Sequence, residues 1–187
     1  MNPIPHSSDV SSEAKADEHR RWLQSVFDRY QRPLVAYAWR LLGGDSEAAR
    51  DCVQDTFLAL CQQSRSAVDG HVDAWLFKSC RNRAMDYHRR ETRMHLFTQS
   101  ALVEPQSDPM TDPSVGLERS EEQQLVNDQI KLLPTREQEL LALRLSHGMS
   151  YKQIAEITGL STSNIGFILH QALMHLKTAI ALDSESA

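Results

Sequence analysis

Residues 133–177, LPTREQELLALRLSHGMSYKQIAEITGLSTSNIGFILHQALMHLK, decide the fold. Thr135 followed three residues on by Gln138 reads as a capping box, and Leu140, Leu141, Leu143 and Leu145 follow it until His147-Gly148 ends the segment. Ser150 with Gln153 repeats the spacing, and Ile154, Ala155 and Ile157 make the buried side of a short helix. In the turn Thr158-Gly159-Leu160-Ser161, Gly159 can take the left-handed conformation that favours glycine. A long helix to about Ala181 follows, expected to bury Ile165, Ile168, Leu169, Ala172, Leu173, Leu176 and Ile180. A short helix, a glycine turn and a longer helix form the helix-turn-helix pattern, whose second helix enters the DNA major groove.

Upstream of Pro134, Glu121 to Leu133 is one helical stretch. Before that, residues 99–116 read QSALVEPQSDPMTDPSVG, with three prolines, no basic residue and no helical period. Such a segment cannot repay its ordering entropy by burial, so it reads as a flexible linker. The chain of 187 residues divides accordingly: a disordered tail over 1–19, a helical domain over 20–97, a linker over 98–119 and a helix-turn-helix domain over 120–182. The expected fold class is all-α, two small helical domains joined by a flexible acidic linker.

The first domain is helical by period. Leu23, Phe27, Tyr30, Leu34, Ala38 and Leu41 recur at steps of three and four, with Pro33 predicted to end one helix near Arg32 and start the next. Gly43-Gly44 stops the second helix, and Asp45 or Ser46 caps a third that buries Ala49, Cys52, Val53, Thr56, Phe57 and Leu60. A polar loop over Gln63 to Gly70 leads to a fourth helix, from about Val72 to Arg93. On its wheel Val72, Trp75, Leu76, Ser79, Cys80 and Tyr87 share one side, and Phe77, Lys78, Arg81, His88 and Arg89 the other. Six basic residues against two acids between Lys78 and Arg93 make a basic stripe with aromatic neighbours. Cations suit phosphates and rings suit unstacked bases, so the stripe fits single-stranded or distorted nucleic acid.

The net charge of −5 seems to oppose such a partner. Divided, residues 1–97 carry +1, residues 98–130 carry −6 and residues 131–187 are neutral. The acidity therefore belongs to the linker region, and the positive charge is focused on one helix. Three cysteines, Cys52, Cys61 and Cys80, suit a reduced, cytoplasmic chain. No apolar run is long enough to span a membrane, and the first seventeen residues lack the apolar stretch of a secretory signal. No Ser-His-Asp arrangement, glycine-rich phosphate loop or metal-ligand spacing appears, and His170 and His175 fall on different helical faces. Neither an enzyme, a cofactor nor a bound metal is expected.

These residues resemble a bacterial RNA polymerase sigma factor of the extracytoplasmic-function (ECF, group 4) type. Residues 133–177 resemble region 4, which reads the −35 promoter element; DSEAARDCVQDTFLALCQQ (45–63) resembles region 2.2, which docks on the clamp helices of the polymerase's largest subunit. WLFKSCRNRAMDYHRR (75–90) resembles regions 2.3 and 2.4, which capture the melted −10 element. The likeness spans roughly Phe27 to Lys177. It implies −10 contacts from Lys78, Arg81, Asn82, Tyr87, Arg89 and Arg90, with Asn82 on a base edge and Arg81 and Arg89 on phosphates. Asp86 is expected to pair with a neighbouring basic residue, and Trp75 to pack in the core.

The same likeness implies −35 contacts from Ser161, Thr162, Ser163, Asn164, Phe167, His170 and Gln171. Asp51, Gln54, Asp55 and Leu58 would face the core polymerase, with the clamp helices and the flap as docking surfaces. Family members often carry a basic or hydroxyl pair early in the recognition helix, where this chain has Gly166-Phe167-Ile168. The side opposite the core has no permanent positive charge until Lys177, which implies weak duplex affinity of low salt sensitivity. Phe167 suits a thymine methyl and Gln171 an adenine, while the same face also suits an inhibitory anti-sigma factor. The expected function is a transcription initiation factor with core RNA polymerase and promoter DNA as partners and no membrane insertion. The alternative is a stand-alone helix-turn-helix regulator acting on duplex DNA without polymerase.

Overall fold

The computed structural model describes the backbone of residues 7–97 and 121–185, and the side chains of residues 15–93 and 126–180. The linker expected over 98–119 lies outside the described residues. Within them every regular element is helical: α1 (Ser7–Leu41), α2 (Ser46–Cys61), α3 (Arg65–Val68), α4 (Val72–Phe97), α5 (Glu121–Leu132), α6 (Thr135–Leu141), α7 (Tyr151–Thr158) and α8 (Thr162–Glu185). A wider π-type segment, Ala142–Ser146, extends α6.

Two expectations at the start of the chain are corrected. Residues 7–19, read as a disordered tail, are the first turns of α1, and α1 runs through Pro33 instead of breaking there. An interior proline costs about 3 kcal/mol through its missing N–H and its clash with the preceding turn. Here Val26, Leu34, Tyr37, Ala38 and Leu41 lie buried on both sides of Pro33. Burying several apolar side chains at about 1.5–3 kcal/mol each outweighs that cost, and one straight stripe serves both halves. Gly43 and Gly44, at φ of 64° and 96°, then turn the chain out of α1.

Asp45 caps α2, its carboxylate accepting from the Glu47 and Ala48 amides at 3.0 and 2.9 Å. The loop expected over residues 63–70 contains the short helix α3, which buries Val68 against the core. In the downstream unit Ser150 and Gln153 form the expected capping box, and Gly159 takes φ 75°, ψ 9°. No such box forms at Thr135. Pro134 occupies the cap position of α6, and Gln138 Nε2 instead donates to the carbonyls of Lys131 and Leu133 at 3.0 and 2.7 Å. Leu173, expected inside, is half exposed: Ala172 and Leu176 on either side of it are buried, so Leu173 lies at the edge of the inner face of α8.

The cores of both units join in one cluster, from Leu34, Tyr37, Leu60, Leu76 and Phe77 to Leu140, Leu143, Ile154 and Ile165. Phe77 is a further correction: placed with the basic stripe by the wheel, it is 1% exposed. α4 is covered on two sides, by α1 and α2 and by α7. Loss of the α7 cap is a direct test of this local architecture. Ser150→Ala should cost about 1 kcal/mol in urea unfolding of the full chain, with the first turn of α7 losing amide-exchange protection first.

Candidate nucleic-acid interface

Two surfaces carry the residues singled out from the sequence. The first lies on α4 and α2. Asn82, Arg83, Asp86, Tyr87 and Arg90 of α4 face Asp51 and Asp55 of α2 across an open groove of about 570 Å³. The sequence reading treated these as separate sites for DNA and for polymerase, and the fold brings them onto one groove. Asn82 also borders a second depression with Arg81, Met85, His88 and Arg89 on the other side of α4. An exposed amide between two grooves can donate and accept together, which suits a base edge.

The basic residues differ in how available they are. Lys78 and Arg90 are exposed. Arg89 pairs with Asp86, the partner expected for that aspartate. Arg81 is not free: its Nε donates to Glu139 Oε1 at 2.7 Å, and its side chain is only 17% exposed. Tyr87 donates to Asp45 Oδ2 at 3.2 Å. Burial first, then the hydrogen bond to Glu91 and the Asp45 carboxylate, push its phenol well above the ordinary tyrosine range. It therefore remains a neutral donor that ties α4 to the α2 cap. Trp75 packs against the core as expected. His88 Nε2 lies 2.7 Å from the Leu41 carbonyl, so it tethers α4 to α1.

The second surface is the outer face of α8. Ile165 and Leu169 are buried, while Thr162, Ser163, Asn164, Phe167, His170 and Gln171 all point outward. Phe167 is 66% exposed. Ser161 accepts the Asn164 amide at 3.2 Å, so its hydroxyl caps the helix and is partly committed. Gln54 and Leu58 are exposed on α2, Leu58 at 54%, on residues that do not line the groove.

Sequence reasoning missed Tyr37, Glu137 and Glu139. The two glutamates are buried at 6% and 7%, in a helix otherwise read through its leucines. Glu137 could have been found, since it lies three and four residues before Leu140 and Leu141 on the same helical face. It accepts from His175, whose Nδ1 lies 2.9 Å from Glu137 Oε2, and so joins α6 to α8. Nothing local marked Glu139. Among the described residues no group of histidine, cysteine or acidic side chains is arranged to hold a metal ion.

Comparison with known proteins bears on the family and the fold. The Sigma-70 region 2 family model matches residues 26–94, and the Sigma-70, region 4 model matches residues 123–176. RNA polymerase sigma factor YlaC of Bacillus subtilis is 27% identical over 163 residues, covering 86% of this chain and 92% of that protein. ECF RNA polymerase sigma factor SigD of Mycobacterium tuberculosis is 25% identical over 184 residues, 95% of this chain and 85% of that protein. In fold the chain is similar to the sigma factor RpoE bound to the anti-sigma factor NepR from Bartonella quintana. That match has TM-score 0.65 at 21% identity and covers 89% of this chain and 98% of that one. CnrH in complex with the cytosolic domain of CnrY gives TM-score 0.55 at 24% identity, over 88% and 90% of the two chains.

Proposed function

Because this chain belongs to the ECF sigma factors of the sigma-70 family, which bind core RNA polymerase and direct it to promoters, we propose that α8 reads the −35 element as duplex and α4 captures the melted −10 element. The family consists of transcription factors without catalysis of their own. As a partner of polymerase on the chromosome, the factor acts in the cytoplasm; among the described residues no helix is long and apolar enough to cross a membrane.

The observation that carries the reading is the groove beside Asn82. An extruded base costs a few kcal/mol of stacking and pairing unless a protein group replaces what it loses. Asn82 supplies an amide, with Arg90 and Lys78 as nearby cations for the backbone. Asp51 and Asp55, with Gln54 and Leu58, are proposed to face the polymerase, where carboxylates suit a partner surface rich in arginine. On α8, Phe167, His170 and Gln171 are proposed to reach base edges, with Thr162, Ser163 and Asn164 nearer the backbone and Ser161 holding the helix start.

The experiment is run-off transcription with the purified chain and core polymerase on a promoter selected from random sequence. The wild type should form a stable complex and support initiation. Asn82→Ala should lower open-complex formation about tenfold, from the roughly 1–1.5 kcal/mol of a hydrogen bond, while leaving polymerase binding unchanged. Failure to bind core polymerase, or strong specific duplex binding by the chain alone, would overturn the reading.

A further inference from the structure

The contact between the two helical units holds the inference. Glu139 of α6 is 7% exposed, and its Oε1 accepts the Tyr37 hydroxyl at 2.8 Å and Arg81 Nε at 2.7 Å. A carboxylate this dry is unfavourable unless donors surround it. Here both donors belong to the other unit. Phe77 lies edge-on to Tyr37, ring centres 5.1 Å apart, and meets His147 at 4.5 Å. At the rim, Gln153 Nε2 donates to Asp73 Oδ2 at 3.0 Å. Thus α6, His147 at the end of the π-type segment, and α7 are all fastened to α1 or α4.

Promoter binding as proposed above needs the opposite. Elements centred near −35 and −10 lie about 25 base pairs apart, roughly 80 Å of duplex at 3.4 Å per pair. Residues 98–120 between α4 and α5 are enough chain to reach about that far when extended. Units in hydrogen-bonding contact cannot sit at both ends of that length. Arg81 is engaged as well: the Glu139 carboxylate sits where a phosphate oxygen would on the same guanidinium.

Resting on that reading, we propose that the Tyr37–Glu139–Arg81 cluster is an autoinhibitory latch, which closes the two units on each other in the free chain and opens when polymerase and promoter separate them. Because the carboxylate is delivered by the same chain, it competes for Arg81 at high effective concentration. Free duplex, contacted by a recognition helix with little positive charge, does not displace it.

The test is a distance measurement on the full chain, with dyes on the exposed native Cys61 and on an introduced Thr178→Cys; Cys52 and Cys80 are buried and stay unlabelled. The wild type should give a short distance without DNA or polymerase. Glu139→Gln keeps the shape and removes the charge, and should raise the open-to-closed ratio about tenfold or more. Tyr37→Phe removes one hydroxyl from a buried ring and should raise it by less, with the double variant short of additive because both donors meet one oxygen. Circular dichroism checks that each variant stays folded. Glu139→Gln should also associate with core polymerase faster than wild type. A wild type already open, distances unmoved by both substitutions, or unaltered association would each overturn the latch. The distances need neither DNA nor polymerase, so this failure is distinct from failure of promoter reading in the run-off assay.

Discussion

Ile165→Ala should unfold the downstream helical unit while the upstream unit stays folded. Ile165 is fully buried in the first turns of α8, in the same cluster as Leu140, Leu143 and Ile154. Removing the side chain costs about 2–5 kcal/mol, from lost transfer energy and the cavity left behind. A unit of some sixty residues has only about 3–9 kcal/mol to lose. The unit is three short helices wrapped on one long one, with little room to collapse into the void. Amide exchange on the full chain should show α5 to α8 losing protection by two to three orders of magnitude, with α2 much less affected.

Phe167→Ala supplies the comparison on the same helix. At 66% exposed its loss should move stability by no more than about 0.5 kcal/mol. Promoter-specific initiation should fall in both variants, in one because the unit melts and in the other because the proposed contact to the DNA is removed. An Ile165→Ala chain as protected as wild type would mean that the helix-turn-helix does not depend on this core.

Acid should open the contact between the units by roughly 25-fold between pH 7.5 and pH 5. His147 sits against Phe77 of α4, with Arg40 of α1 near enough to repel its charged form. Burial first, and Arg40 second, push its pKa down to about 4. Its Nε2 is buried without a hydrogen-bond partner among the described residues. Opening returns the ring to water, where imidazole titrates near about 6.5. The closed state thus binds the proton more weakly than the open one. Its advantage is complete above pH 6.5 and is lost as the pH falls toward 4. The same dye pair reads the shift, and His147→Phe, which keeps an aromatic ring against Phe77, should flatten it. An equal pH response in that variant would mean that His147 does not carry the effect.

The helix-turn-helix was legible because each of its signals is local. Ser150 and Gln153 reach each other within one turn, Gly159 takes its left-handed geometry by itself, and the period of Ile165, Leu169, Ala172 and Leu176 names the inner face of α8. The all-helical class was legible for the same reason, as was the pairing of Asp86 with a basic neighbour, though that neighbour proved to be Arg89, expected instead on a phosphate. The exposed face of α8, which carries Phe167 and Gln171, followed by elimination.

Whatever depended on which face meets which was decided only in three dimensions. A helical wheel gives α4 two sides and cannot say what covers each, so Phe77 looked like part of a basic stripe until Tyr37 and His147 closed on it. Pro33 looked like a break because the local cost is visible in sequence and the compensating burial is not. Arg81 looked like a phosphate ligand, and nothing within a few residues named Glu139, 58 positions away, as its partner. The amino-acid sequence by itself determined the helices, their inner faces and the chemistry each surface offers. Tertiary structure decided which of that chemistry is available, because the free energy of a buried carboxylate is set by donors that the chain brings from far along its length.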